Sequence, residues 1–277
     1  MVVVGAGVMG EVLVAAATKA GQAVEIVEAD PVRAGEVTKK HGATAVTLAD
    51  ALGAANKETV VWLAVKPQQL SQVLLETEAQ MTARPKEDRP LVISLAAGVS
   101  LSQIRAAAPS INRLIRIMPN TPARVGKGVT AIAYPGEHPA FSPDQSDLDL
   151  AQELLAPLGS VELVPEEELD AVTVIAGSGP AYLFYLAEAM TEAAVSLGLS
   201  PELAKTLVAE TLVGSAALLR ESTQTPAKLR SDVTSKGGVT LAATSYLDEN
   251  SVMHHLVSAI EAAHSRAQDL GRASTNS

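Results

Sequence analysis

The chain has 277 residues, of which 47% are hydrophobic and 19% charged, so it is long and apolar enough for two globular domains. Its net charge of -10 comes from scattered Asp and Glu residues, which argues against a nucleic-acid-binding surface. Cysteine is absent, which excludes disulfides, thiolate nucleophiles, iron–sulfur clusters and zinc sites with cysteine ligands.

The beginning of the sequence has neither the basic segment nor the long apolar segment of a secretory leader. No later stretch approaches the roughly 20 uninterrupted apolar residues of a membrane span. We therefore expect a cytoplasmic protein without a membrane partner. Only Met1–Val4 precede the first glycine, whereas a strand usually has about five residues, so either the first strand is short or the sequence lacks residues before it.

Short runs rich in Val and Ile alternate with helical patterns through residues 1–164. The runs predicted as strands are Val2–Val4, Val24–Val27, Thr59–Val65, Leu91–Ser94, Leu114–Met118, Val129–Ala133 and Val161–Val164. The predicted helices between them include Met9–Ala20, Pro31–His41 and Pro67–Met81. This alternation indicates an α/β domain over residues 1–164, with a mainly parallel sheet and helices on both faces.

The pattern changes after Pro165, where strand signals end. The predicted helices are Pro180–Leu197, Pro201–Leu219, Thr240–Leu247 and Val252–Asp269. Pro180 and Pro201 are placed at helix starts, where the missing N–H of proline costs nothing. We predict an all-α domain over residues 165–277. Its many alanines bury little surface, so we expect a second subunit to complete the core of a homo-oligomer.

A glycine-rich turn follows the first strand and opens the first helix. It has the pattern GxGxxG and consists of Gly5, Ala6, Gly7, Val8, Met9 and Gly10. Gly5 permits a tight turn, Gly7 lets a pyrophosphate approach the backbone, and Gly10 allows close packing of helix on strand. The alternative is a strand-to-helix turn without a ligand. The position between strand and helix favours a Rossmann-type dinucleotide site.

The end of the second strand carries residues that bear on the choice of dinucleotide. Glu28 and Asp30 lie where an acidic side chain would bind the ribose 2′-hydroxyl of NADH. Arg33, close by, could pair with the 2′-phosphate of NADPH. The sequence therefore predicts a cofactor, NADPH or NADH, and leaves the choice open.

Three more segments end strands at the carboxyl edge of the predicted sheet, where ligands of such sheets bind. The residues concerned are Ala64, Val65, Lys66 and Pro67, then Ala96 and Ala97, and Asn120 in the turn Met118–Pro122. Each also has a plain structural interpretation: Lys66 as a solvated lysine at a strand end, and the two prolines as stiffeners of a turn. Together the segments favour a cofactor site.

In the helical half, two glycines precede an apolar helical stretch. The segment contains Ser235, Gly237, Gly238, Val239 and Thr240. Exposed backbone N–H groups and the helix dipole favour an anion at such a helix start. The competing interpretation, which spacing alone favours, is ordinary capping by Ser235 or Thr240.

A second glycine-containing segment, Gly177–Tyr182, lies at the predicted start of a helix. Glycines on both sides of Ser178 allow close approach of another backbone or a ligand. Tight helix packing explains them equally well, and the sequence does not separate the two.

Taken together, these segments resemble the pyrroline-5-carboxylate reductase family, in matching order and spacing over essentially the whole chain. They are the glycine turn, AVKP at 64–67, AAG at 96–98, MPNTP at 118–122, GSGPAY at 177–182 and SKGGVT at 235–240. Lys236 and Thr244 depart from the family pattern, as does the turn Glu28–Pro31, which leaves the expected NADPH preference open.

The resemblance implies reduction of 1-pyrroline-5-carboxylate to L-proline in a dimer or a ring of dimers. It implies that Thr240 is catalytic and hydrogen-bonds the ring nitrogen, while Ser235 and the backbone of Gly237, Gly238 and Val239 bind the carboxylate. Lys66, Ala96 and Ala97 would line the cofactor, and Glu166 would lie near the substrate. Since a cyclic imine already accepts hydride well, we expect neither a metal nor a covalent intermediate.

Two other functions remain to be weighed. One is a related dehydrogenase of 3-hydroxy acids or a general imine reductase. Such enzymes usually carry a lysine in a long helix of the second domain, but Lys205 and Lys228 lack the glycine-rich surroundings. The other is a non-enzymatic nucleotide sensor, against which the intact SKGGVT segment argues.

Overall fold

The computed structural model describes residues 1–134 and 144–273. The strands are β1 (Val2–Val4), β2 (Glu25–Val27), β3 (Thr44–Ala45), β4 (Val60–Leu63), β5 (Leu91–Ser94), β6 (Leu114–Met118), β7 (Gly128–Tyr134) and β8 (Gly159–Pro165). The helices are α1 (Val8–Lys19), α2 (Pro31–His41), α3 (Leu48–Ala54), α4 (Pro67–Thr82), α5 (Leu101–Ala107), α6 (Gln145–Leu155), α7 (Leu169–Val172), α8 (Gly179–Ser196), α9 (Pro201–Glu221), α10 (Pro226–Asp232), α11 (Val239–Glu249) and α12 (Val252–Ala273).

The eight strands form one sheet in the order β3-β2-β1-β4-β5-β6-β7-β8. Pairing is parallel except between β6 and β7, which run antiparallel. The chain builds outward from β1 in one direction and then from β4 in the other, so the strand order switches between β1 and β4. In sheets of this kind the ligand crevice lies at the carboxyl ends of the two strands at the switch. The predicted α/β fold with a Rossmann-type sheet is confirmed.

Both faces of the sheet are covered by apolar side chains. Val3, Trp62 and Ile93 belong to the buried cluster on one face, while Val4, Leu63 and Val92 alternate with them and belong to the cluster on the other. Because successive residues of a strand point to opposite faces, unbroken apolar runs are needed when helices cover both. This accounts for the Val- and Ile-rich runs of the sequence.

The chain divides into two compact units. The first comprises Met1–Ser178 together with Ala263–Ser277, and the second comprises Gly179–Ala262. The division falls after the boundary expected at residue 164. The difference arises because the turns that follow β8 still belong to the sheet, where Leu169 packs with Ala131 and Ala133.

The helix predicted at Pro180–Leu197 is present as α8, although the chain is already helical before Pro180. Helical turns run from α7 through a π-helical turn, Thr173–Gly177, into α8, which begins at Gly179. The π-helical turn changes the backbone pairing just before the proline, as shown by the hydrogen bond from Ser178 N to Thr173 O at 2.9 Å. Pro180 therefore lies one residue inside α8 rather than at its first position.

Six further elements were not predicted from the sequence. They are the short strand β3 and the helices α3, α5, α6, α7 and α10. For α5 the signal was present, since Ser100 and Gln103 form a complete capping box. The two residues of β3 are too few for a periodic pattern.

The second unit exposes large apolar side chains. In α8 none of the residues is buried, and Phe184 and Tyr185 are 62% and 77% exposed. By length and composition alone, the helix Glu166–Ser196 could cross a membrane, with a mean hydropathy of 1.2 in its most apolar window. It also carries Glu188 and Glu192, and helices of soluble proteins pass the same test. An exposed apolar face of this size indicates a surface that another molecule covers.

Candidate active site

The turn after β1 is closed by two glycines that tolerate no side chain. Gly5 has φ +94°, and a Cβ there would lie 2.9 Å from the backbone of Ala64 and Val65. A Cβ on Gly10 would overlap the carbonyl oxygen of Gly5. These two positions therefore hold α1 directly against the ends of β1 and β4, as predicted for the glycine turn.

Gly7 has a different environment, because nothing lies within 4 Å of the Cβ it lacks. It caps α1 without a side-chain hydrogen bond, and it faces a cleft of about 580 Å³ at the switch in strand order. The missing side chain thus leaves open space over the amino end of α1. A pyrophosphate fits such a cradle, since the first backbone N–H groups of the helix can donate to it.

The far end of this cleft is acidic. Glu28 accepts hydrogen bonds from Ala6 N at 2.7 Å and from Asp30 N at 3.1 Å, one with each carboxylate oxygen. Asp30 caps α2, accepting from Val32 N at 2.9 Å and Arg33 N at 3.3 Å. Both carboxylates are thereby fixed at the edge of the cleft, and Asp30 serves the helix as well.

Arg33 also lines the cleft, but its guanidinium is already engaged. Its Nε donates to Ala6 O at 2.8 Å, its Nη2 pairs with Glu11, and its Nη1 lies 3.3 Å from Glu36. The hydrogen bond that Arg33 donates to Glu11 is the main reason why the pKa of Arg33 is raised above its usual value. The Arg33 guanidinium, which the sequence suggested as a partner for a 2′-phosphate, is therefore already paired with protein carboxylates.

Glu11 is the centre of this ion-pair network. Besides Arg33, it accepts from Lys40 Nζ at 2.8 Å and lies 3.0 Å from Nε2 of His41. Hydrogen bonds from Lys40, His41 and Arg33, in that order of size, lower the pKa of Glu11 to about 2. The sequence analysis missed Glu11, because its partners come from α2, up to 30 residues away in the chain.

The mouth of the cleft lies at the carboxyl end of β4. Ala64, Val65 and Lys66 line it, and Lys66 caps α4, whose first residue is Pro67. On the neighbouring strand end, Ala96 is buried with 2% exposure, whereas Ala97 is half-buried. The structure thus brings Ala64–Pro67 and the glycine turn together, while Ala96 belongs to the core beside them.

Both polar atoms of the Asn120 side chain form hydrogen bonds within the protein. Its Oδ1 accepts from Val129 N at 3.0 Å, and its Nδ2 donates to Ala176 O at 3.1 Å. Nearby, a Cβ on Gly177 would lie 2.5 Å from Cε of Met118. For Gly177, tight packing against Met118 is therefore the interpretation that the structure supports.

Glu166 is held at the start of α5 and against a buried arginine. Its Oε1 accepts from Leu101 N at 2.7 Å and from Arg116 Nη1 at 3.2 Å. Arg116, on β6, is only 5% exposed and also lies 3.9 Å from Asp170. The sequence analysis missed Arg116, which sits inside an apolar run and meets a partner 50 residues away.

In the second unit, α11 begins without a side-chain cap. Gly237 has φ +72°, and Gly238, at the N-cap, packs so closely on Ser235 that a Cβ would overlap Oγ. Thr240 follows in the first helical turn and is half-buried. In the described residues, the hydroxyls of Ser235 and Thr240 make no hydrogen bond within the chain, so capping does not use them. An anion can accept from such a helix start.

Through residues 1–134 and 144–273, no group of three or more His, Cys, Asp or Glu side chains could hold a metal ion. The acidic residues of the cleft instead face lysine, arginine or backbone N–H groups. The chemistry available here is anion and hydroxyl binding.

Comparison with known proteins identifies the family. A Pyrroline-5-carboxylate reductase from Synechocystis is 38% identical over 98% of this chain and 97% of its own length. The chain belongs to the pyrroline-5-carboxylate reductase family. Relatives of the same name from Methanosarcina acetivorans and Mycobacterium tuberculosis are 35% and 34% identical, each over 97% of the chain and at least 95% of their own length.

Solved structures agree with this assignment. A pyrroline-5-carboxylate reductase from Coxiella burnetii is 31% identical, with a TM-score of 0.81 over 97% of both chains. That from Streptococcus pyogenes is 25% identical, with a TM-score of 0.84 and the same coverage. The family predicted from the motifs is confirmed.

Two family models match separate parts of the chain. Residues 1–98 match the model described as NADP oxidoreductase, coenzyme F420-dependent, and residues 166–270 match pyrroline-5-carboxylate reductase dimerisation. The predicted NAD(P)H cofactor agrees with the first match. The second covers the whole of the apolar helix Glu166–Ser196, so an apolar face on this helix is explained by its place in a dimerisation domain.

Proposed function

We propose that this protein reduces 1-pyrroline-5-carboxylate to L-proline with NADPH or NADH. The observation that carries the proposal is the similarity of the whole chain to relatives with that activity in their name. The cleft supports it, because the open position over Gly7 fits a dinucleotide pyrophosphate. When bound, the reduced nicotinamide supplies the hydride.

The substrate's carboxylate is assigned to the amino end of α11. The N–H groups that follow Gly238 have no capping side chain, and the Ser235 hydroxyl packs against Gly238. An anion held there gains from the helix dipole and from several donors at once. No arginine is then needed to bind the acid group.

Thr240 is assigned to the ring nitrogen of the substrate. A hydroxyl in the first turn of α11 can hydrogen-bond the nitrogen while the carboxylate occupies the amides beside it. Fixing both ends of a small ring removes most of its rotational freedom, and orientation of this kind supplies much of the rate. We keep Glu166 as a neighbour of the substrate. Its pairing with Arg116 fixes where its carboxylate stands.

We also propose that the protein is a cytoplasmic homo-oligomer, either a dimer or a ring of dimers. The dimerisation match and the exposed Phe184 and Tyr185 support a second copy as the cover for α8. Light scattering of the purified protein should give a mass of at least two chains. A monomer at all concentrations would contradict this part of the proposal.

The test of activity is oxidation of NADH and NADPH by the purified protein with 1-pyrroline-5-carboxylate, with L-proline identified as the product. A 3-hydroxy acid with the oxidised cofactors serves as the comparison substrate. Turnover of the 3-hydroxy acid alone would point to the related dehydrogenases. Tight cofactor binding without any turnover would point to a nucleotide sensor.

A further inference from the structure

The acidic end of the cleft distinguishes the two possible cofactors. NADH and NADPH share every group except the 2′ substituent of the adenosine ribose, which is a hydroxyl in one and a phosphate in the other. A carboxylate after the second strand of such a fold accepts a hydrogen bond from the hydroxyl. The same carboxylate repels a phosphate, which carries a charge of roughly −1.5 to −2 at neutral pH.

Glu28 is not free to move out of the way of a phosphate. Its two oxygens accept from Ala6 N at 2.7 Å and Asp30 N at 3.1 Å. Charge-assisted hydrogen bonds of this kind are among the stronger ones in proteins, so rotating the side chain aside would sacrifice both. A carboxylate has about four acceptor positions, which leaves room for a ribose hydroxyl beside the two amides.

Arg33 would contribute little attraction to a 2′-phosphate. Its Nη2 pairs with Glu11 and its Nη1 lies 3.3 Å from Glu36, so the guanidinium is already engaged by two carboxylates. Its Nε is bound to Ala6 O at 2.8 Å, which holds the guanidinium in place. A 2′-phosphate would have to compete with Glu11 for this cation while facing Glu28.

We infer that this protein binds NADH in preference to NADPH, that Glu28 sets the preference, and that Glu11 reinforces it by occupying Arg33. The inference rests on the proposed function only in requiring a nicotinamide dinucleotide in this cleft. It is specific to this chain, because the model matched by residues 1–98 describes NADP oxidoreductases. This chain has both Glu28, which favours NADH, and Arg33, which could favour NADPH. The hydrogen bonds that each side chain makes decide which cofactor is preferred.

The inference is tested by measuring dissociation constants for NADH and NADPH on the full-length protein without substrate, by nicotinamide fluorescence. We expect NADH to bind about tenfold or more tightly, the size of one favourable charged contact exchanged for a repulsive one. In Glu28→Gln the preference should shrink about tenfold, with weaker NADH and tighter NADPH binding. In Glu11→Gln it should shrink about threefold, mainly through tighter NADPH binding.

Glu58→Gln is the matched control, because it removes one exposed carboxylate before the amino end of β4, at the opposite edge of the sheet. Its ratio of dissociation constants should equal that of the parent. Equal or tighter NADPH binding by the parent, or an unchanged ratio in Glu28→Gln, would overturn the inference. Tight NADPH binding with turnover would overturn the preference for NADH and leave the proposed function intact. Failure to bind either dinucleotide would contradict the preference and the proposed function alike.

Discussion

Asn120 donates a hydrogen bond to the carbonyl oxygen of Ala176, 3.1 Å away, and this carbonyl lies four residues before Pro180. In an α-helix that oxygen would accept from the N–H of residue 180, which proline lacks. The amide of Asn120 therefore supplies the donor that the helix cannot. This pairing gives Ala176 O a donor where the helical turns run on through Pro180.

Replacing Asn120 should destabilise the protein through this pairing. Asn120→Ala leaves both Ala176 O and Val129 N without their partner, and we expect a loss of about 2–4 kcal/mol in the free energy of unfolding. Chemical denaturation measures it. Pro180→Ala restores a donor at residue 180, so the loss caused by Asn120→Ala should be smaller in that background. Strict additivity of the two changes would contradict the pairing.

The hydroxyl of Thr240 should matter for turnover and not for the cofactor. Thr240→Val keeps the shape of the side chain and removes only the hydroxyl, so kcat should fall about 100-fold while the dissociation constant of NADH stays unchanged. Thr240→Ser should recover most of the rate. Equal turnover in Thr240→Val and the parent would remove Thr240 from the mechanism.

Two glycines allow a matched test of the phosphate turn. A Cβ on Gly10 would overlap the carbonyl oxygen of Gly5, so Gly10→Ala should displace α1 and weaken cofactor binding about 100-fold or more. Gly35, inside α2, has nothing within 4 Å of the missing Cβ. Gly35→Ala should therefore raise stability by up to about 1 kcal/mol and leave the dissociation constant unchanged. Calorimetry and a cofactor titration on both variants make the comparison.

A buried ion pair outside the cleft should dominate the stability of α6. Asp147 is 2% exposed and accepts from Nε of Arg113 at 3.2 Å. Asp147→Ala removes the carboxylate partner of Arg113, which keeps its hydrogen bonds to the carbonyl oxygens of Lys57 and Arg89, and we expect a loss of up to about 3 kcal/mol. Asp149, two residues on and exposed, bonds only Gln145 among the described residues, so Asp149→Ala should cost less than about 1 kcal/mol. Similar losses in the two variants would show that burial does not decide the effect.

Acid should weaken the protein in a way that depends on Glu11. Its pKa falls from 4.5 to about 2 on folding, so the carboxylate contributes its full stability above pH 4.5 and loses it as the pH drops towards 2. At 1.36 kcal/mol per pKa unit the contribution is up to about 3 kcal/mol. Melting temperatures at pH 7, 5 and 3 should therefore fall more steeply for the parent than for Glu11→Gln. If the melting temperature falls equally with pH in the parent and in Glu11→Gln, another group causes the sensitivity to acid.

The sequence analysis succeeded where a residue's role is local. Gly5 and Gly10 were assigned correctly to a tight turn and close helix packing, because those constraints act between neighbouring elements of one βα unit. The Val-rich runs predicted the strands of the sheet for the same reason. Both features follow from sterics that a short window of sequence contains.

It failed where a role depends on a distant partner. In the sequence Arg116 appears only as one residue of a strand. No neighbouring residue indicates that it pairs with Glu166, which lies 50 residues further along the chain. Pro180 was placed at a helix start because its substitute donor, Asn120, comes from another turn 56 residues before Ala176. Arg33 looked available to a phosphate until the structure showed Glu11 on its guanidinium.

The ion-pair network around Glu11 has a consequence for redesign of the enzyme. The same side chain that keeps Arg33 from a phosphate also joins α1 to α2 through Lys40 and His41. A designer who frees Arg33 by removing this carboxylate would loosen the two helices as well. A switch of coenzyme that acts through Arg33 therefore requires a compensating change at the interface of α1 and α2, made in the same step.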